Sequence, residues 1–305
     1  PRPVRRQRRG ELRRQEFGAG EHRHVGAGTP ASGKQHLPDR GRGVGERDAA
    51  VGRKLRRVAG LGQPPAVGQH QLRAGSQRQA KVRTVQGEFE KALRKLGWGD
   101  PSVLMAGRTD AGVHASGQVL SFDFDWKHSD EDLNNALNAN LPADMAVSEV
   151  KVAPAKFHPR FDATARLYRY RLFCAWNRDP LRERYAWRVH PAVDGDKLHA
   201  LAALLPGKFD FAAFGTPPRP GGSTERHLMR ASWQKQGDEW IFEVQANAFL
   251  YHMVRRLVLA QVAIAQNKVP AERFARALAE QVEVTSGIAP LNGLTLVDVS
   301  YPDNL

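Results

Sequence analysis

Arg108 and Asp110 stand between glycines in the run Ala-Gly-Arg-Thr-Asp-Ala-Gly-Val-His-Ala-Ser-Gly-Gln over residues 106–118. A carboxylate can attack an electron-poor carbon or stabilise developing positive charge, and a guanidinium nearby can hold that carboxylate or grip a phosphate. Gly107, Gly112 and Gly117 free the main chain to take conformations closed to other residues and to come close to a ligand. Taken alone, such an Arg-x-Asp reads first as an ordinary turn whose aspartate bonds its own backbone. Arg255 on an apolar helix reads alone as a snorkelling side chain, and Tyr168 as a core residue that needs a partner for its hydroxyl. His114 and His252 read as structural, since neither has a Ser or Cys nucleophile spaced to form a triad.

Those residues need a scaffold. Residues 103–105 are apolar and residues 119–126 alternate, so the run lies in a loop between two strands, where a rigid framework commonly carries chemistry. Val85, Phe89, Leu93 and Leu96 recur at helical spacing, with Thr84 as N-cap and Gly97 as stop. Residues 129–138 open with the capping pair Ser129 and Asp132. Strands are expected at 145–152, 168–176, 228–236, 240–246 and 294–300, and helices at 196–205, 248–266 and from 270. Strand and helix alternate without the regularity of a parallel barrel, which predicts an α+β fold with a mostly antiparallel sheet.

The chain of 305 residues carries a formal charge of +14, but unevenly. Residues 1–80 hold 18 Lys and Arg against 6 Asp and Glu, a net of +12, and leave only +2 for residues 81–305. The same segment has 14 of the 28 glycines and one aromatic, Phe17, so composition predicts no core there. It reads as a low-complexity basic segment, either a disordered arm that grips RNA phosphates or the product of an upstream shift of reading frame. Gly28-Thr29-Pro30-Ala31-Ser32-Gly33-Lys34-Gln35 misses a P-loop, because Gln35 replaces the Ser or Thr that binds magnesium and no apolar strand precedes it. Glu21-His22-Arg23-His24 lacks the second cluster that a tetrahedral metal site needs, so no metal is expected. One cysteine, Cys174, fits a reducing cytoplasm and is expected in the core. No signal peptide is evident, and residues 246–269, the longest apolar stretch, carry His252, Arg255 and Arg256 and predict a buried helix rather than a membrane span.

Gly-Arg-Thr-Asp-Ala-Gly-Val-His-Ala at residues 107–115 is similar to the signature of the tRNA pseudouridine synthase A family, and the chain resembles that family in order over residues 82–302. The resemblance implies two ferredoxin-like subdomains, 81–165 with the catalytic loop and 166–305 completing the cleft. Their sheets would join into one continuous, mostly antiparallel sheet with flanking helices. It implies isomerisation of uridine to pseudouridine at positions 38, 39 and 40 of the tRNA anticodon stem-loop, by a homodimer that uses no cofactor. Asp110 matches the catalytic aspartate. Arg255, in Phe-Leu-Tyr-His-Met-Val-Arg, matches the arginine that pairs with it. Arg108 resembles the residue that helps turn the target nucleotide out of its stack, Tyr168 the one that stacks on uracil, and Leu294 lines the base pocket. Lys81, Arg83, Arg160, Arg166, Arg169 and Arg171 are expected on phosphates. Gly287-Ile288-Ala289-Pro290 departs slightly from the usual Thr-Ala-Pro. Residues 1–76 do not match, and the family's first strand is expected to be missing. An inactive RNA-binding protein, or a product misfolded for want of that strand, are the competing readings.

Overall fold

The computed structural model describes residues 54–62, 75–78 and 82–303. The P-loop-like run, the Glu-His-Arg-His cluster and Lys81 lie outside the described residues.

The first half of the fold contains β1 (Leu55–Gly62), α1 (Val85–Lys95), β2 (Leu104–Met105), β3 (His114–Ala115), β4 (Gln118–Phe124), α2 (Asp130–Asn140) and β5 (Ala146–Val152). Four of its strands form an antiparallel sheet in the order β2-β4-β1-β5. Thr84 caps α1 by accepting from Gly87 N–H, and Gly97 ends it at φ +96°. Ser129 and Asp132 form the expected capping box on α2. Phe89 and Leu93 of α1, Leu133 and Leu137 of α2 and Leu120, Phe122 and Phe124 of β4 close one core between helices and sheet.

The expected absence of a first strand is corrected here. β1 pairs with β4 on one side and β5 on the other, so it is central. Its alternation was masked by a cation at a core position: Arg57, Ala59 and Leu61 are buried. Arg57 survives there because Phe124 O accepts from its Nη1 and Asp130 Oδ1 from its Nε at 3.0 Å. Residues 75–78 are likewise built into the fold, with Ser76 buried and its carbonyl accepting from Gln86 N–H.

The second half contains β6 (Ala165–Cys174), β7 (Trp187–Val189), α3 (Gly195–Ala203), β8 (Gly207–Asp210), β9 (Glu225–Gln236), β10 (Glu239–Ala246), α4 (Met253–Ala265), α5 (Glu272–Glu280) and β11 (Leu294–Ser300). The sheet runs β3-β11-β6-β10-β9-β8, with β7 parallel to β6. α4 starts five residues later than residue 248, because His252 takes φ +64° and breaks the helical path. Cys174 is half-buried rather than core, and Trp176, beyond the end of β6, is 76% exposed.

The two sheets are stitched by one stretch of chain. β3 pairs in parallel with β11, and four residues after its start β4 enters the first sheet. Between them, Ser116 and Gly117 N–H both donate to Leu296 O. A Cβ on Gly117 would lie 2.1 Å from Val297 O, so only glycine lets the strand pass this close.

Candidate active site

The loop between β2 and β3 is braced at two points. Gln118, buried at the start of β4, spans Gly107 with its amide: Nε2 donates to Gly107 O at 3.0 Å and Oε1 accepts from Gly107 N–H at 3.3 Å. Ser76 does the same for Thr109, its Oγ accepting from Thr109 N–H at 2.8 Å and its own N–H donating to Thr109 O at 3.1 Å. Asp110 O then accepts from Val113 N–H across a tight turn that includes Gly112 at φ +83°. Gly107 has open space around its α-carbon and no positive φ, so of the three glycines only Gly112 and Gly117 are sterically required.

The turn presents the half-buried Asp110 carboxylate to the N-terminus of α4. Arg255 Nη1 and His252 Nε2 both stand 3.3 Å from Asp110 Oδ2. Arg255 is buried and anchored by its Nε, which donates to Ala289 O at 2.7 Å, while Ala289 N–H donates back to Arg255 O. Asp110 Oδ1 has no hydrogen-bond partner among the described residues. Burial lowers the His252 imidazole, helped by the Arg255 and Arg256 cations and opposed by Asp110, so the ring is held neutral at neutral pH. His252 was expected to be structural, and its contact with Asp110 was missed. A left-handed residue before a helix leaves no mark in apolar periodicity.

Tyr168 of β6 packs edge-on to Phe249 with ring centroids 5.0 Å apart and touches the core that includes Leu294, Met253 and Val254. Burial pushes its phenol up to about 12, with Asp110 adding to the effect, so the hydroxyl stays protonated. That hydroxyl makes no hydrogen bond among the described residues, whereas Tyr170 OH donates to Pro290 O at 2.7 Å and is fully buried. Leu294 is buried and pairs across the sheet with Tyr170. Asp110 thus meets Arg255 and lies near enough to Tyr168 to act on its phenol, and Leu294 belongs to the core against which Tyr168 packs.

The profile described as tRNA pseudouridine synthase matches residues 66–162 and 201–302, well over half the chain. The chain belongs to the tRNA pseudouridine synthase family. Among similar proteins, the tRNA pseudouridine synthase A of Aeromonas hydrophila is 38% identical over 232 residues, covering 76% of this chain and 86% of that one. The Chloroflexus aurantiacus enzyme of the same name is 39% identical over 240 residues, covering 76% and 85%. The family match starts at residue 66, upstream of Val82.

The basic residues of this synthase divide by what they already hold. Arg83 makes a bidentate pair with Asp144 at 2.7 and 2.5 Å. Arg169 and Arg171 pair across strands with Glu243 and Glu239. Arg166 donates to the carbonyls of Ala163, Asn247 and Arg160. Arg108 and Arg160 are exposed, and neither guanidinium makes a hydrogen bond among the described residues. His114 is half-buried against the second half, its Nε2 3.0 Å from Arg184 O and its ring against Tyr185. No group of three or more metal-binding side chains occurs among the described residues, and no helix there is long and apolar enough to cross a membrane.

Proposed function

We propose that this chain isomerises uridine to pseudouridine in the anticodon stem-loop of tRNA, at positions 38 to 40, with Asp110 as the reacting carboxylate. The observation that carries the reading is the division of labour on Asp110: Oδ2 faces Arg255 and His252, and Oδ1 is left for the substrate. The reaction breaks the bond from ribose C1′ to uracil N1, turns the base, and joins C5 to C1′. A proton leaves C5 and one arrives at N1, so nothing is gained or lost overall and no cofactor is called for. Asp110 bonds the substrate through Oδ1 as the C1′–N1 bond breaks, and is released again as a carboxylate when C5 joins C1′, while Arg255, held at Oδ2, fixes the orientation of the group throughout. Tyr168 offers an aromatic face and a protonated hydroxyl to the loosened base, and Leu294 backs the pocket.

A uridine inside a stem must leave its stack to reach Asp110. Arg108, two residues away with a guanidinium that makes no hydrogen bond among the described residues, is suited to fill or hold the space it vacates. The relatives named above are called tRNA pseudouridine synthase A, and tRNA is the substrate proposed for this chain, acting as a homodimer in the cytoplasm. Release of tritium from C5-labelled tRNA tests the proposal: Asp110→Asn is expected to abolish release while tRNA binding stays within a few fold. An unaltered chain that binds tRNA but liberates no tritium would refute it.

A further inference from the structure

Beside the catalytic loop a cleft of about 250 Å³ opens between Gly107 and Arg108 on one side and His158, Arg160 and Phe161 on the other. Phe161 is 71% exposed, an unusual place for a phenyl ring that has nothing to meet. One side of the ring is supported by His158, with centroids 4.2 Å apart and planes tilted by 36°. The Arg160 guanidinium lies 6.0 Å from the ring centre. The turn beneath is already set: His158 N–H donates to Asp162 Oδ2 at 2.8 Å, Arg160 N–H donates to His158 Nδ1 at 3.1 Å, and Phe161 N–H donates to His158 O at 3.2 Å.

A preset aromatic face in a cleft lined by two guanidinium groups that make no hydrogen bond among the described residues suits a nucleotide, since a base stacks on the ring and a phosphate meets the guanidinium groups. The cleft adjoins the loop that carries the reacting carboxylate: the α-carbons of Arg108, on its wall, and Asp110 are at most about 7 Å apart even if the chain between them is fully extended. We propose that the Phe161 cleft binds the nucleotide next to the target uridine in the RNA strand, its base on Phe161 and its phosphate between Arg108 and Arg160. The subsite would fix which uridine enters the pocket by holding its neighbour. This rests on the reading of Asp110 as the uridine-isomerising centre.

The test uses the full chain carrying Asp110→Asn, which holds substrate without turnover, and an anticodon stem-loop RNA with 2-aminopurine placed 5′ or 3′ of the target uridine. Binding is expected to quench the probe at one of the two positions. Adding Phe161→Ala should remove the quench and weaken binding about tenfold, and Phe161→Trp should restore both. Quenching at neither position, or an unchanged quench and affinity in Phe161→Ala, overturns the subsite. So does a Phe161→Ala chain whose RNA binding is intact but whose self-association is weakened, which would assign the ring to a protein interface. Tritium release by the chain with Asp110 intact separates the two levels: without it the isomerase reading fails, and with it only the subsite is at stake.

Discussion

A guanidinium already engaged by a carboxylate has little left for RNA, and this separates the arginines of the chain. Arg83 is held at both ends of its fork by Asp144, and Arg169 and Arg171 are matched to Glu243 and Glu239 on the neighbouring strand. Arg160 is not so occupied. Arg160→Gln is therefore expected to weaken tRNA binding and to reduce the slope of log K against log salt by about 1. Arg83→Gln should leave that slope alone and instead lower stability, by about 1 kcal/mol for a partly exposed pair. Titrations across a salt series, with a urea melt of each variant, distinguish the two. Sequence alone expected all of these side chains on phosphates and could not show which of them have carboxylate partners. The carboxylates that claim them lie 61 to 74 positions away in the chain.

Most elements were legible where one period dominated. Val85, Phe89 and Leu93 with a Thr84 cap define α1, and the alternation of residues 294–300 gives β11 its bounds. What stayed hidden depended on single residues acting against their type. β1 buries Arg57 and was read as part of a segment unable to contribute to a core. α4 was drawn too long because the positive φ of His252 is invisible in a list of apolar residues. Of the site, Asp110, Arg255 and Tyr168 were recognisable from the resemblance, while His252 and the bracing by Ser76 and Gln118 appear only once distant segments meet. The stitch at Gly117 makes a prediction at this scale. A methyl group there would press on the Val297 carbonyl, so Gly117→Ala should lower the urea midpoint by an amount equivalent to about 1–3 kcal/mol. Because β3 must shift off β11 to relieve it, activity should fall along with stability.

Over the whole molecule, acid sensitivity should include a contribution from a residue other than those that hold Asp110. Burial pushes the His114 imidazole below its ordinary 6.5, against the opposing pull of its backbone hydrogen bonds to Arg184 and Asn292. The unfolded chain thus takes up a proton near pH 6.5 that the folded chain declines. The stability this withholds is fully present above that pH and is lost as pH falls through the folded value. Thermal melts between about pH 7.5 and about pH 5.5 should show a falling midpoint, with a shallower fall in His114→Gln. The crossing of one strand between two sheets has a further consequence. Any movement that parts β3 from β11 would have to pull the Leu296 carbonyl from two amides at once. On the function proposed above, this crossing would resist movement and leave the bending and unstacking to the RNA.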